Sequence, residues 1–316
     1  MNARETNSRR VLVIKLGALG DIVQALGPMD AIRKHHGNDH ITILTTRTFG
    51  DFIETANVAD KIIIDKRPGS FDLMGWLKLR SALRNGQYIR VYDLQTSSRS
   101  NRYARLFWPG PYPEWSGIAK GCSHPHRNPE RDNMHTIERQ AEQLKAAGIK
   151  MVPLPDLTPF MRDISHLSLP SSYCIIVPGG AQHRTDKRWS AARYRDLVQQ
   201  LDQSSITPVL CGGPEEAELC TQITQGCHNA RNIAGQTSLV DLVNIANGAQ
   251  FAIGNDNGPM HIAAAANTKT IVLYSHASDP ALCAQRGQDV TIIRRESLND
   301  LSVADVLESI PGSGGS

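Results

Sequence analysis

The 316-residue sequence lacks the features that mark membrane-spanning and secreted proteins. No apolar run approaches the roughly 18 residues that a membrane-spanning helix needs. The longest apolar runs, such as 11–14 and 62–64, have the length of strands. The polar segment 1–10 leads directly into a strand pattern and contains no apolar core of a secretory signal. These absences predict a cytoplasmic protein.

Closely spaced cysteine pairs are also missing. None of the six cysteines forms a Cys-x-x-Cys pair, which excludes the usual zinc-site spacings. A chain of this kind is expected to keep its thiols reduced and mostly buried. Composition is otherwise that of a globular protein, with 40% hydrophobic and 21% charged residues.

Charge is divided unevenly along the chain. Residues 1–150 carry 23 Lys and Arg against 15 Asp and Glu, whereas residues 151–316 carry 11 against 16. The excess of positive charge predicts that the first half meets an anionic ligand, although a solvated basic surface would account for part of it.

Short apolar strand patterns alternate with amphipathic helical patterns along most of the chain. This alternation is typical of βαβ units on a parallel sheet. Periodicity is lost in a proline-rich stretch and restarts at the run YCIIV, 173–177. We therefore predict two α/β domains with a cleft between them: residues 1–155, a linker over 156–171, residues 172–310 and a flexible tail over 311–316. Leu301–Ile310 is predicted as a closing helix capped by Asn299 or Ser302.

The first motif is KLGALGD, residues 15–21, between the first strand and the first helix. Gly17 and Gly20 permit a tight turn, and Asp21 follows the carboxyl end of the strand, where open α/β sheets bind ligands. The motif lacks the third glycine of a dinucleotide fingerprint. Asp21 is a candidate for chemistry, and the alternative is a helix N-cap.

The second motif is VPGGAQHRTDKRWS, residues 177–190, which follows the first strand of the second domain. Gly179 and Gly180 would let backbone N–H groups approach phosphate oxygens, and Arg184, Lys187 and Arg188 would hold a diphosphate. A solvated basic loop is the alternative.

The third motif is GNDNGPMHIAAAA, residues 254–266. Gly258 is predicted as the N-cap and Pro259 as the first residue of a helix whose free N–H groups form an anion site without metal. His261 lies in the first turn of that helix. Asp256 would repel a diphosphate facing it, so we expect it to accept hydrogen bonds from sugar hydroxyls or loop N–H groups.

Segment 99–131 interleaves basic and aromatic residues. Arg102, Arg105 and Lys120 stand among aromatic residues such as Trp108 and Tyr112, a mixture suited to an anionic glycolipid at the inner face of a membrane. Nucleic acid would satisfy the same charges, but no nucleic-acid-binding motif is present. A solvated basic face remains the alternative.

Together IKLGALGD, TDKRW and the D-x-G-x-x-H pattern of Asp256, Gly258 and His261 resemble glycosyltransferase family 9, the ADP-heptose:lipopolysaccharide heptosyltransferases. The resemblance covers most of the chain. It implies a GT-B fold, in which a first Rossmann-like domain takes the acceptor and a second takes the nucleotide sugar.

By position, the resemblance implies that Asp21 is the catalytic base, Lys187 the phosphate-binding lysine and Glu216 the ribose-binding acid. Asn257 departs from the Ser or Thr common in the family. Asp21, Lys187 and His261 are the implied catalytic residues, and Thr237 is placed near the nucleobase. The predicted donor site comprises Gly179, Gly180, Arg184, Lys187, Glu216, Thr237, Asp256, Asn257, Gly258, Pro259 and His261. The predicted acceptor site comprises Gly17, Gly20, Arg102, Arg105 and Lys120.

The implied reaction is inverting transfer of heptose from ADP-heptose to a lipopolysaccharide core. Because no Asp-x-Asp motif accompanies the donor site, we predict no metal and no cofactor. Two alternatives stay open: another GT-B enzyme with a different nucleotide sugar, such as a UDP-sugar 2-epimerase, or a catalytically silent nucleotide-sugar-binding protein.

Overall fold

The computed structural model describes residues 8–180 and 184–310 of the chain. The chain divides into unit 1, Met1–Pro159, and unit 2, Phe160–Ser316. The division falls inside the stretch predicted as a linker. The predicted tail, 311–316, and the part of the second motif at 181–183 lie outside the described residues.

Unit 1 is built on a parallel six-stranded sheet in the order β3-β2-β1-β4-β5-β6. Its strands are β1 (Arg10–Ile14), β2 (His40–Thr45), β3 (Lys61–Ile64), β4 (Arg90–Asp93), β5 (Glu114–Gly117) and β6 (His124–Pro125). Its helices are α1 (Leu19–His36), α2 (Arg47–Thr55), α3 (Leu73–Asn85), α4 (Ser98–Tyr103) and α5 (Thr136–Ala146).

Unit 2 repeats this plan with a second parallel sheet in the order β12-β11-β10-β7-β8-β9. Its strands are β7 (Tyr173–Val177), β8 (Thr207–Leu210), β9 (Arg231–Asn232), β10 (Phe251–Asn255), β11 (Lys269–Tyr274) and β12 (Val290–Arg294). Its helices are α6 (Ala191–Asp202), α7 (Ala217–Thr224), α8 (Leu239–Gly248), α9 (Gly258–Ala265), α10 (Pro280–Cys283) and α11 (Val303–Leu307).

The central strands are continuous apolar runs because helices cover both faces of each sheet. Val11–Ile14 of β1 and Tyr173–Val177 of β7 are buried along their length. All six cysteines are free thiols, and Cys174, Cys211 and Cys220 are buried in unit 2. The two-unit α/β architecture predicted from the alternation of strands and helices is confirmed.

Each sheet reverses its winding direction once, between β1 and β4 in unit 1 and between β7 and β10 in unit 2. Loops that leave neighbouring strands in opposite directions open a crevice at the carboxyl ends of those strands. The first motif follows β1, and the second and third motifs follow β7 and β10. All three motifs therefore stand at a point of reversal.

Two predicted helix ends are wrong, and one alternative is excluded. The N-cap of α9 is Asn257, because its side chain accepts the Met260 N–H, and Gly258 is already helical. The closing helix α11 spans only Val303–Leu307, and Ser302 caps it. Asp21 is the third helical residue of α1 rather than its N-cap, which is Ala18. Among the described residues, no helix combines the length and apolar character required to cross a bilayer.

Candidate functional site

The turn after β1 requires glycine at position 17. Gly17 has a φ of +126°, a conformation that L side chains rarely adopt. A Cβ atom added there would lie 2.6 Å from a ring carbon of Phe49. Gly20, the other predicted glycine, is buried in the first turn of α1. This tight turn brings the start of α1 close to the end of β1.

Asp21 is held by its own helix terminus. Its Oδ2 accepts the Ala18 N–H at 3.1 Å, which satisfies one of the free donors at the start of α1. Its Oδ1 lies 3.7 Å from the Nζ of Lys15, and its side chain is 41% exposed. Asp21 therefore presents an oriented carboxylate that a ligand can reach.

Lys15 is buried and links two loops of unit 1. Its Nζ donates to the carbonyl of Leu94, just after β4, at 3.3 Å and pairs with Asp21. Burial lowers the pKa of Lys15, and the negative charges of Asp21 and Asp93 oppose that effect. The ammonium thus joins the loops after β1 and β4 at the point of reversal.

Asp93 is fully buried at the end of β4. Burial raises its pKa to about 6, although hydrogen bonds from the N–H groups of Thr96 and Gln95 act in the opposite direction. Those two bonds, 2.9 and 3.1 Å long, both reach Oδ1. They fix the turn that follows β4.

A cavity of about 750 Å³ opens above this crevice. Gly17 and Asp21 line it, together with the basic residues Arg47, Lys66 and Arg67. These three cations were not predicted, because Arg47 at the start of α2 and the adjacent Lys66 and Arg67 after β3 lie outside every recognised motif. They give the surroundings of Asp21 a positive character suited to an anionic ligand.

The predicted acceptor residues Arg102, Arg105 and Lys120 lie elsewhere in unit 1. They line a larger cavity of about 1210 Å³, together with aromatic residues that include Trp108 and Trp115. Asp21 does not line this cavity. The structure therefore does not bring the predicted cations together with the predicted base.

In unit 2, the wholly buried Asn255 connects the second and third motifs. Its Nδ2 donates to the carbonyls of Pro178 and Gly179 at 2.8 and 3.2 Å. Its Oδ1 accepts the Trp189 N–H at 3.0 Å and the Tyr194 hydroxyl at 3.1 Å. The side chain at the end of β10 therefore fixes the loop after β7 from both of its ends.

Lys187 and Asp256 form an ion pair with an Nζ to Oδ2 distance of 2.6 Å. Asp256 also accepts from the Ser278 hydroxyl at 2.6 Å and from the Gln285 amide at 3.2 Å. Burial would raise the pKa of Asp256, but the hydrogen bonds and charge of Lys187 outweigh it and leave the pKa below its usual range. The predicted phosphate-binding lysine and the predicted sugar-binding carboxylate thus meet directly.

Glu216 fixes two glycine loops. Its Oε1 accepts the Gly180 N–H at 2.9 Å, and its Oε2 accepts the Gly213 N–H at 2.7 Å. The Gly180 N–H is consequently engaged by a carboxylate, which corrects the expectation that it is free for phosphate. Carboxylate oxygens keep further lone pairs for ligand hydroxyls.

The start of α9 lies beside this network. Asn257 caps Met260 and donates its Nδ2 to the Gly179 carbonyl at 3.0 Å. Pro259 occupies the first turn, where its missing N–H costs nothing. His261 is buried in the same turn. Asn257 therefore joins the loop of Gly179 to the start of α9.

Arg184, Arg188 and Thr237 differ in exposure and contacts. Arg184 is exposed and donates to the Ala277 carbonyl at 3.4 Å. Arg188 donates to the Gly180 carbonyl and so braces the glycine turn. Thr237 is half-buried and directly precedes Ser238, the N-cap of α8.

The described ranges 8–180 and 184–310 contain no group of three or more His, Cys, Asp or Glu side chains arranged to hold a metal ion. The positive charge that faces Asp256 comes from the Lys187 side chain.

The family model for glycosyltransferase family 9 (heptosyltransferase) matches residues 76–308 of the chain. The chain belongs to glycosyltransferase family 9. The lipopolysaccharide core heptosyltransferase OpsX of Haemophilus influenzae is similar to this family 9 glycosyltransferase, with 23% identity over 280 residues, 85% of this chain and 79% of OpsX. Lipopolysaccharide heptosyltransferase 2 of Escherichia coli is 32% identical over 104 residues, which are 31% of this chain and 30% of the relative.

Solved family 9 structures share the fold. The Escherichia coli ADP-heptose lipopolysaccharide heptosyltransferase II has a TM-score of 0.78 at 22% identity, covering 95% of this chain and 97% of the other. A family 9 glycosyltransferase from Veillonella parvula has a TM-score of 0.81 at 18% identity, covering 98% of each chain. Escherichia coli heptosyltransferase WaaC, solved with ADP, has a TM-score of 0.76 at 20% identity and covers 96% of this chain and all of WaaC. The GT-B fold class is thereby confirmed.

Proposed function

We propose that this family 9 glycosyltransferase transfers heptose from ADP-heptose to an acceptor of the lipopolysaccharide core, with inversion at the anomeric carbon. The names of its relatives support the choice of sugar and acceptor, and WaaC is known with ADP and with ADP-2-deoxy-2-fluoro heptose. In this proposal unit 1 is the acceptor domain and unit 2 the nucleotide-sugar domain.

The observation that carries the proposal is the setting of Asp21. A sugar hydroxyl is a poor nucleophile, so direct attack on an anomeric carbon needs a base within hydrogen-bond reach. The Ala18 N–H orients Oδ2 of Asp21, while the carboxylate remains partly exposed in the 750 Å³ cavity. Asp21 is the base in our proposal, and Arg47, Lys66 and Arg67 receive the anionic groups of the acceptor.

In unit 2, the diphosphate of the donor binds Lys187 and Arg184 beside the amino-terminal end of α9. The partial positive charge of a helix start favours such a group. Glu216 accepts the ribose hydroxyls, since two glycine N–H groups already fix its orientation. Thr237 lies near the nucleobase, and Asp256 receives sugar hydroxyls after the diphosphate has drawn Lys187 away.

The leaving diphosphate accumulates negative charge as the glycosidic bond breaks. Fixed donors aimed at developing charge lower the barrier because they need no reorganisation during the reaction. Lys187, His261 and the α9 terminus supply those donors in the proposal. No metal ion or cofactor is part of it.

The decisive experiment is the substitution Asp21→Asn. The new side-chain amide can still accept the Ala18 N–H through its oxygen, so the start of α1 is preserved, but it cannot take a proton. We expect turnover to fall by about 10²-fold or more, the scale of general-base catalysis. Calorimetric binding of ADP-heptose should remain unchanged, because donor binding belongs to unit 2.

Asp30→Asn is the matched control, since Asp30 lies on the same helix and pairs with the surface residue Lys34. It should retain full turnover. A parallel loss of donor affinity and rate in Asp21→Asn would instead assign Asp21 a structural role. Competition by ADP, UDP, GDP and CDP then tests the nucleotide, and preference for a base other than adenine would overturn the choice of donor.

A further inference from the structure

Six large apolar side chains of unit 1 are exposed on two segments, 71–77 and 108–112. Phe71 is fully exposed, at 101%, and Trp108 is 66% exposed. We define the apolar face as Phe71, Leu73, Met74, Leu77, Trp108 and Tyr112. Single exposed apolar residues are ordinary on protein surfaces, whereas a cluster marks an interaction site.

Helix α3 and the segment after α4 form one continuous surface. Positions 73, 77, 80 and 84 recur at helical spacing, which places them in one stripe along α3. In the second half of that stripe, Arg80 and Arg84 donate to the carbonyl of Trp108 at 2.7 and 2.9 Å. Trp108 is therefore tied to the stripe that begins with Leu73 and Leu77.

Contacts with buried and backbone groups hold α3 in place beneath the exposed side chains. Trp76 meets the buried ring of Tyr103 edge to face at 6.1 Å, and Arg84 also donates to the Gly110 carbonyl at 3.0 Å. These contacts fix α3 on α4 and on the segment that follows it. The apolar face is consequently held by the fold although its own side chains are exposed.

Segments that carry the apolar face are rich in positive charge. Segments 66–84 and 98–108 contain eight Lys and Arg residues and a single acid, Asp72. The Asp72 carboxylate is engaged in capping α3, where it accepts the Gly75 N–H. The eight basic residues are Lys66, Arg67, Lys78, Arg80, Arg84, Arg99, Arg102 and Arg105.

We propose that the apolar face docks unit 1 onto an anionic lipid bilayer. Apolar tips beside long basic side chains suit the boundary between acyl chains and headgroups, where both kinds of group are satisfied at once. Charge of one sign complements anionic headgroups, which attract each nearby Lys or Arg. A protein partner would need an acidic surface, whereas a bilayer supplies that charge over its whole area.

Docking would also place the larger cavity of unit 1 beside the bilayer. Trp108 and Tyr112 belong to the apolar face and also line the 1210 Å³ cavity with Arg102 and Arg105. A charged group on the lipid anchor of the acceptor would thus contact Arg102 and Arg105, while Arg47, Lys66 and Arg67 receive the anionic groups of its sugars beside Asp21. This step rests on the proposed function, while docking itself does not.

Flotation of the full chain with vesicles tests the proposal. We expect binding to vesicles of phosphatidylethanolamine and phosphatidylglycerol at physiological salt, and little binding to phosphatidylcholine alone. Phe71→Ser with Leu73→Ser should weaken partitioning more than about tenfold, and Lys78→Gln about fivefold, the equivalent of about 1 kcal/mol per charge. Acyl chains brominated near the headgroup should quench wild-type tryptophan fluorescence, and Trp108→Phe should lose most of that quenching.

Met151→Ser with Leu154→Ser is the matched control, because it removes two exposed apolar side chains outside the apolar face. It should bind vesicles like the wild type. Absence of wild-type binding to anionic vesicles, or equal binding by the Phe71 and Leu73 variant, would overturn the proposal. Self-association of the wild type that the same variant abolishes would overturn it too, by showing that a second copy covers the face.

Transfer to a delipidated, water-soluble acceptor separates docking from catalysis. The Phe71 and Leu73 variant should keep full turnover on that acceptor while failing to float with vesicles. Asp21→Asn should behave in the opposite way, with vesicle binding intact and turnover lost. Failure of the docking proposal is therefore distinguishable from failure of the proposed reaction.

Discussion

Lys187, the predicted phosphate ligand, already forms an ion pair with Asp256 inside the protein. Their contact of 2.6 Å means that a substitution at either position changes both the binding surface and a partly buried charge. Removing Lys187 leaves Asp256 with Ser278 and Gln285 as hydrogen-bond donors. The carboxylate thus retains partners in a Lys187 variant.

Replacement of Lys187 by Ala should weaken ADP binding by about 1.5–3 kcal/mol, the range for a hydrogen bond to a charged group. Adenosine, which has no phosphates, should lose far less affinity. Calorimetry with both ligands measures the difference. Lys269→Ala is the control, because Lys269 pairs with Asp289 at the far end of β11 and should leave both affinities unchanged. Equal losses for ADP and adenosine would mean that Lys187 supports the fold.

Some residues of the candidate site could be predicted from the sequence and others could not. Gly17 and Asp21 were predicted from a short motif whose members interact locally, and the Ala18 N–H does reach Asp21. Arg47, Lys66 and Arg67 join Asp21 only through the topology of the sheet, so no spacing reveals them. A buried Asn255 at the end of an apolar strand was a usable signal, since a buried amide must find partners. No feature of the sequence marked Gln285 as a hydrogen-bond partner of Asp256.

At the scale of elements, α9 is capped by Asn257 rather than by the predicted Gly258. Gly258 and Asn257 both suit an N-cap, and the choice is decided by the Asn257 side chain, which reaches Met260 and Gly179. Two hydrogen bonds from one amide favour starting the helix one residue earlier. This kind of decision depends on a distant loop and cannot be read from local preference.

Asn257→Ala should destabilise unit 2 by about 1–2 kcal/mol, because it removes the cap of α9. Asn257→Ser restores a capping oxygen but not the donor to Gly179, so we expect an intermediate loss. Hydrogen exchange of the α9 amides measures the change directly. Unchanged protection in the Ala variant would show that packing of the apolar helix against the sheet, rather than the cap, sets its stability.

Helix and strand placement was predictable wherever the apolar pattern was long. β1 and β7 are buried runs, and the structure has them within one residue of the predicted positions. Short elements near the end of the chain were harder to predict from the sequence. The closing helix, Val303–Leu307, begins later than predicted because Ser302 caps it and the Leu301 side chain is buried in the core of unit 2.

At the scale of the whole molecule, the two units share one sheet plan, and the proposed function gives each a different role. In each, the motifs follow the strands at the point of reversal, which is a property of the parallel topology. The alternation of elements therefore predicted where sites would form. It did not separate the Asp21 cavity from the cavity of Arg102, since both lie in unit 1 and both are basic.

The proposed enzyme should work without a divalent cation. Positive charge for the leaving group comes from Lys187, Arg184 and the α9 terminus, which are parts of the protein. Transfer measured in excess EDTA, after divalent ions have been stripped, should proceed at the untreated rate. Activity that vanished with EDTA and returned with Mg²⁺ or Mn²⁺ would contradict the proposal.

In the proposed donor site, the pairing of Lys187 with Asp256 would make nucleotide binding an ion exchange. Since the ammonium is already neutralised, an incoming anion gains only the difference between its own attraction and that of the internal carboxylate. A small anion such as orthophosphate offers little beyond what Asp256 provides. A nucleoside diphosphate adds contacts along the ribose and base, so its net gain is larger. In that proposal, the resting salt pair would keep abundant simple anions from occupying the site between turnovers.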